Sequence, residues 1–469
     1  MRTSYLFIPT ILSISVQSSA LQQPIQAGLG LGDHHDVQVS PQDLRLEHES
    51  STEEHEHLNS IISSSPLLSF HRSIVQIPSI SDNEKSVGDF ILDFLSAHNF
   101  TTEKQIVSPG TEGQDERFNI YAYTGEIRHV DILLTSHIDT VPPYIPYSLH
   151  APTTTTSPFK FNRTDLQIAG RGTVDAKASV AAIIFALLET LKENQNPTTS
   201  APGSLGLLLT VGEENTGAGM KFFSSSDLNP TPPIFKTIIF GEPTDLNLVS
   251  GHKGTFGFKL TATGKAAHSG YPWLGRSAIS SLLPVLSVLD GLEDRAPEEG
   301  GLLRSDELGK STLNIGVFTG GVAGNVVPAF AEAGVKIRLA AGSVEDTRGI
   351  IERAVEEGKA TGNAQLKAYG NGDGSDDAGA GIELSFEGGS LPQFFDTDVD
   401  GFEVITVNYG TDAFSLKIGE GEGGHKVRRY LYGPGSIHVA HSEDEAITVG
   451  EIEEAVRGFK RLISAALAR

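Results

Sequence analysis

Five short segments carry side chains whose types and spacing could do chemistry together. His137-Ile138-Asp139 sets an imidazole and a carboxylate at i and i+2, on one face if the segment ends a strand. The pair suits either a structural His–Asp hydrogen bond or a metal ligand whose second ring nitrogen is held by the acid. In Gly170-Arg-Gly-Thr-Val-Asp175-Ala-Lys177 a glycine-permitted turn presents Asp175 just before a helix, as an N-cap or as a ligand. Gly212-Glu213-Glu214 crowds two carboxylates, which is costly unless a cation or a proton separates them; a solvated acidic loop is the plain alternative. Glu242-Pro-Thr adds an acid, and Gly433-Pro-Gly-Ser-Ile-His438-Val-Ala-His441 adds two imidazoles. The chain has no Cys, so any metal must sit on His, Asp and Glu, a borderline-hard donor set that suits zinc and, less well, cobalt or manganese.

The elements needed to position these groups are legible as alternating apolar runs. DILLTS (131–136), LGLLLTV (205–211) and FKTIIFG (235–241) have the length of strands buried on both faces, and each delivers one of the clusters at its carboxyl end. Ligands in open α/β sheets collect there. Helices are expected over 176–191 and over 86–98, where Val87, Phe90, Ile91, Phe94 and Leu95 follow helical spacing. From Thr255 the rhythm changes to strand 255–264, helix 277–292, strands 311–320 and 331–340, helix 344–360 and a strand around 382–386. That βαββαβ order predicts a compact α+β unit. The fold class is therefore α/β: a first domain in two parts, 60–254 and 391–469, interrupted by an inserted α+β domain over 255–390. FEVITVNYG (402–410) and a last helix from Val449 resume the first domain.

The chain has 469 residues, enough for two domains. Its 59 acidic against 35 basic residues give a net charge of −24, which argues against nucleic-acid and anionic-membrane partners. Arg2, the apolar stretch Tyr5–Ile14 and Ser18-Ser19-Ala20 read as a signal peptide over 1–20, so secretion is expected. No later segment has the pattern of a membrane span. Residues 21–59 hold His34, His35, His48, His55 and His57 among many acids without apolar periodicity, the composition of a flexible leader or propeptide. Asn99-Phe-Thr101 and Asn162-Arg-Thr164 are sequons for glycosylation.

The ordered segments TSHIDTVPP, GRGTVDAKA, TVGEENTGA, GEPTD and GPGSIHVAHS resemble the di-zinc metallopeptidase family that includes glutamate carboxypeptidase, acetylornithine deacetylase, succinyl-diaminopimelate desuccinylase and aminoacylase. The resemblance covers roughly residues 60–469 and comes closest to secreted, fungal-type carboxypeptidases. It implies two Zn2+ per subunit, with His137 and Glu242 on one, Glu214 and His441 on the other and Asp175 bridging. Asp139 would orient His137, and Glu213 would be the general base. The inserted domain is similar to the family's lid, which commonly mediates homodimerisation and whose Ala267-His268-Ser269-Gly270 segment would lend His268 to the partner's oxyanion. Asn325 and Arg338 would grip the substrate carboxylate, and Thr411 would line the pocket. His438 is left without a role. The implied substrate is a peptide cleaved by a secreted metallo-carboxypeptidase, with an N-acyl amino acid as the alternative and a non-catalytic metal binder as a third reading. Two positions depart from the family's pattern: Gly212, where many relatives carry an acid, and Ala178, where many carry Gly.

Overall fold

The computed structural model describes residues 53–110, 113–124, 128–152, 160–194, 204–231, 233–368, 381–419 and 426–469. The signal peptide expected over 1–20 and most of the leader lie outside these residues. Where the leader expected over 21–59 enters the described residues, at 53–59, the chain is helical instead. Residues 53–63 are helical, and Leu58 (3 % exposed) and Ile62 are buried in the main core, so apolar anchors at i and i+4 offset the charge of the intervening residues.

Helix α1 (Pro66–Gln76) starts at Ser65, whose hydroxyl accepts the Leu68 N–H, with proline at the first position. Helix α2 (Lys85–Ala97) buries Val87, Ile91 and Leu95, the stripe expected from their spacing. Strands β1 (Thr101–Ser108) and β2 (Arg117–Tyr123) form an antiparallel pair. They are followed by β3 (Ile132–His137), α3 (Lys177–Asn194), β4 (Leu205–Thr210) and β5 (Thr237–Gly241). Strands β3, β4 and β5 are buried along their whole lengths because both faces of the sheet are covered. Alternation sorts their side chains. Leu134, Leu207 and Ile239 join Ile183 and Leu187 of α3 in one core, and Leu133, Leu208 and Ile238 join Phe223 and Phe240 in another.

Strand β6 (Leu248–His252) leaves this sheet, and the chain then enters the inserted domain. That domain comprises β7 (Gly254–Thr263), α4 (Ala278–Asp290), β8 (Thr312–Gly320), β9 (Phe330–Leu339), α5 (Val344–Ala368) and β10 (Ile382–Ser390), the expected βαββαβ order. Its sheet runs β8-β9-β7-β10, antiparallel throughout, and packs Phe256, Phe258 and Leu260 against Leu282, Leu289, Ile351 and Val355.

The return of the chain differs from expectation. In the run 402–410 only β11 (Val404–Val407) is a strand, and it pairs in parallel with β6 outside the main sheet. The main sheet is completed instead by β12 (Arg428–Tyr432), which runs parallel to β5. The paired arginines at its start mask it as an apolar run. The order β1-β2-β4-β3-β5-β12 makes a mixed sheet, antiparallel at β1-β2-β4 and parallel beyond. Helix α6 (Val449–Leu467) closes the fold with a capping box between Thr448 and Glu451. No helix among the described residues is long and apolar enough to cross a membrane.

If residues 53–63 belong to the folded unit, Ile62→Ala is expected to cost about 2–5 kcal/mol, the range for truncating a buried aliphatic side chain. Chemical denaturation measures this, and an unchanged midpoint would refute the docking.

Candidate metal centre

The clusters converge at the carboxyl ends of the parallel strands. His137 is the last residue of β3, and its Nδ1–H donates to the Asp139 backbone carbonyl at 3.0 Å. A carbonyl only accepts, so the proton is fixed on Nδ1 and Nε2 is turned to the site. The nearest Asp139 carboxylate oxygen lies farther away, at 3.6 Å from Nδ1. The expected orienting contact is thus made mainly by the backbone of Asp139, because its carboxylate is occupied elsewhere. Oδ1 accepts the Glu213 N–H at 3.1 Å, and Oδ2 accepts the Glu214 N–H at 3.2 Å and the Ser81 hydroxyl at 2.7 Å. Asp139 therefore aims the His137 ring and pins the Glu213-Glu214 turn together.

Asp175 stands between two imidazoles. Its Oδ1 is 3.1 Å from His137 Nε2 and its Oδ2 is 3.2 Å from His441 Nε2. Glu242 Oε2 lies 3.8 Å from His137 Nε2, and Glu214 Oε2 lies 2.9 Å from His441 Nε2. Donor atoms of His137, Asp175 and Glu214 all fall within 4.8 Å of one another. The side-chain oxygens of Asp175 are thus turned to ring nitrogens, as a shared ligand requires. The donor chemistry, two imidazoles among three carboxylates, fits the binding of divalent cations. His438 is exposed on the loop before His441 and is not part of this set.

The electrostatics express the crowding. Burial and the neighbouring Glu242 push the Glu213 carboxyl well above the usual carboxylate range. Burial raises Glu242 to about 7 and Asp412 to about 6. Burial also raises Glu214, with the charge of Asp175 adding to the shift. Asp175 goes the other way: burial opposes its charge, but hydrogen bonds from His137 and His441 hold it well below the carboxylate range. For His137 burial favours the neutral ring, yet the surrounding carboxylates of Asp139, Asp175 and Glu242 raise it well above the usual imidazole value. Hydrogen bonds to Asp175 and Glu214 raise His441 to about 10.

Other predicted residues are placed less uniformly. Thr411 is fully buried, and its hydroxyl is shared between His252 Nε2 at 3.0 Å and the Ala413 N–H at 3.2 Å. Its hydroxyl is thus engaged inside the loop. Its neighbour Asp412 is the more telling residue: buried, it accepts the Thr210 hydroxyl at 2.7 Å through Oδ2, while Oδ1 has no hydrogen-bond partner among the described residues. Arg338 is exposed on β9 of the inserted domain, yet its guanidinium reaches to 3.8 Å from where a Cβ on Gly410 would stand. Asn325 is exposed and, though distant in sequence, lies beside the His268 segment, its carbonyl accepting the Ser269 N–H at 3.0 Å. The contacts of His268 are local: the Gly270 N–H donates to its Nδ1 at 3.0 Å and the Tyr271 ring lies edge-on, so its ring is not gathered with the ligand candidates. Gly212 has φ +72°, and a Cβ there would meet Arg117 Nη2 at 2.7 Å, so the guanidinium, paired with buried Glu84, takes the space an acid would need. Ala178 is buried in the first turn of α3. Buried Glu445, Arg171 and Lys177 also support the site, and sequence spacing offered no signal for Glu445 beyond a run of acids.

In the metal-free protein the raised His441 proton contributes stability that is complete below the ordinary value of 6.5 and is lost as pH rises through about 10. Cations must displace it. Metal loading at neutral pH is therefore expected to release protons, and affinity to fall on acidification. Calorimetric titration in two buffers of different ionisation enthalpy measures this; loading without net proton release would contradict it.

Comparison with known proteins identifies the family. Residues 250–363 match the M20 peptidase dimerisation domain. A probable carboxypeptidase of Aspergillus flavus is 65% identical over 410 residues, covering 87% of this chain and 92% of the relative. One of Talaromyces marneffei is 54% identical over 420 residues, 88% of each chain. Among solved structures, a tripeptidase of Staphylococcus aureus superposes with TM-score 0.64 at 19% identity, over 86% of this chain and 98% of that one. An M20 family metallo-carboxypeptidase of Sulfolobus solfataricus gives 0.57 at 17% identity, over 86% and 100%. A dinuclear metal-binding M20 peptidase of Bacillus subtilis gives 0.53 at 13% identity, over 87% and 99%. With an inserted dimerisation domain, close relatives along most of its length and the fold of these enzymes, the chain belongs to the M20 family of metallopeptidases.

Proposed function

We propose that this chain is a secreted carboxypeptidase that hydrolyses C-terminal peptide bonds with two zinc ions per subunit. His137 and Glu242 would hold one ion, Glu214 and His441 the other, and Asp175 both. The observation that carries the reading is the Asp175 carboxylate, with one oxygen against each imidazole. Cations held there supply Lewis acidity toward a carbonyl and toward water. Glu213 supplies the proton chemistry: its carboxyl accepts a proton from the attacking water and returns it to the leaving nitrogen. Its backbone is fixed by Asp139, and burial beside Glu242 favours its protonated form, which suits the second half of that cycle.

Arg338 and Asn325 would recognise the substrate's free carboxylate. The planar fork of arginine suits that group, and among the described residues no acid or hydrogen-bond partner faces the Arg338 guanidinium. The name carboxypeptidase borne by the fungal relatives favours the same substrate class. A panel of N-blocked dipeptides, their C-terminal amides and N-acetyl amino acids, with and without chelator, tests the reading. Cleavage of the free-acid dipeptides, loss on amidation and restoration by zinc are expected. Hydrolysis of N-acetyl amino acids alone would replace it with an amidohydrolase. Glu213→Gln is expected to retain both metals while losing about 10²–10⁴-fold in turnover; a variant with normal activity would remove the base from Glu213.

Secretion rests on the signal pattern at residues 1–20, and glycosylation on Asn99 and Asn162, both exposed. A homodimer through the inserted domain would cover β8, an edge strand that exposes Val317 and Phe318, and would bring His268 toward the partner's site. Phe318→Lys is expected to shift sedimentation to monomer. An active wild-type monomer at assay concentration would exclude a partner-subunit role for His268.

A further inference from the structure

We propose that Glu445 and Arg171 form a buried clamp that presets the geometry of the Glu214/His441 metal position, making both of them positioning residues. The inference rests on the two-metal reading and deepens it.

Glu445 is 1 % exposed and follows His441 by four residues. Its Oε1 accepts three backbone N–H groups of the Asp175 turn: Gly172 at 2.9 Å, Val174 at 3.0 Å and Asp175 itself at 3.2 Å. That convergence requires the turn to curl around a single oxygen. Gly172 allows it with φ +87°, where a Cβ would stand 2.8 Å from the Thr140 methyl. The other oxygen, Oε2, accepts from Arg171 Nη1 at 2.6 Å.

Arg171 is 2 % exposed, and it spends its remaining donors on backbone carbonyls. Nη1 also reaches Ser442 O at 3.2 Å, Nη2 reaches His441 O at 3.3 Å and Nε reaches Pro143 O at 3.3 Å. One ion pair thus ties together the segment after His137, the turn of Asp175 and the loop of His441. The last needs holding. His441 has φ +63°, a left-handed conformation uncommon for a side-chain-bearing residue, and its side chain is half exposed.

The two metal positions depend on the clamp unequally. His137 ends a buried strand of the main sheet and has its own anchor on the Asp139 carbonyl. His441 sits on an irregular loop whose backbone oxygen is held by Arg171. A buried ion pair is weak evidence for added stability, and its best-attested use is to fix register. Here the register is that between Asp175 Oδ2 and His441 Nε2.

Zinc titration of the metal-free full chain against a competing chelator, with cobalt(II) absorption as a second readout of coordination, tests the clamp. Wild-type protein is expected to take up two ions. Glu445→Gln, nearly isosteric but uncharged, is expected to weaken the Glu214/His441 ion about 10–100-fold, the usual effect of losing a partner that orients a ligand, and to weaken the other less, through the Asp175 turn they share. Arg171→Lys keeps the charge but loses the fork to the His441 and Ser442 carbonyls, and the same selective loss is expected with the Asp175 turn intact. Thermal melting of each metal-free variant confirms that it is folded. Two ions bound with wild-type affinity in both folded variants would overturn the clamp, and so would equal weakening of both ions. Wild-type protein that takes up fewer than two ions would instead overturn the two-metal reading.

Discussion

The structure is organised around a repulsion. Asp139, Asp175, Glu213, Glu214, Glu242 and Asp412 meet where the parallel strands end, and most of this acid is withdrawn from water. Carboxylates so placed repel one another unless protons, imidazoles or cations intervene. Within the protein itself burial raises Glu213, Glu214, Glu242 and Asp412, while His137 and His441 hold Asp175 low. Metal ions would take over the same task, which is why a site that is electrostatically awkward as protein alone is coherent as a metal centre.

The rest of the fold holds this arrangement against its own repulsion. Buried strands β3, β4 and β5 deliver His137, the Glu213-Glu214 turn and Glu242 from a rigid sheet. Helix α1 grips the Asp175 turn from the far side: Lys177 Nζ donates to the Ile74 and Ile77 carbonyls at 2.8 and 2.9 Å, and His71 Nε2 meets Thr173 O at 3.2 Å. The segment before α1 is buried on the same core, so the N-terminal helices support the site rather than merely precede it.

The inserted domain is joined through two chain crossings that touch. A Cβ on Gly254 would lie 2.1 Å from Ser390 O, so only glycine lets the outgoing strand pass the returning one. Beside this crossing, buried His252 holds the Thr411 hydroxyl. The loop carrying Gly410, Thr411 and Asp412 thus faces three ways: to the crossing through Thr411, to the end of β4 through Asp412 and Thr210, and to Arg338 of the inserted domain past Gly410. The acid-rich centre and the Arg338 side chain of the inserted domain thus meet at that loop.

Elements whose signal is local were legible in the sequence. Apolar runs of strand length, helical spacing in α2 and α3 and the βαββαβ rhythm are written in consecutive residues, and so was the delivery of acids and histidines at strand ends. The segment 53–59 misled because its charge outweighs, in composition, the two apolar residues that anchor it. Strand β12 begins with two arginines, and β11 joins β6 rather than the main sheet; which edge a short strand pairs with depends on residues far away in the chain. Tertiary structure alone decided the site's finer roles. Thr411 faces inward because His252 claims its hydroxyl, Asp139 orients His137 through a carbonyl because its carboxylate is taken by Glu213 and Glu214, and Glu445 reaches Asp175 across the fold. Periodicity reports which face a residue occupies, but not which of several distant partners its hydrogen bonds will find.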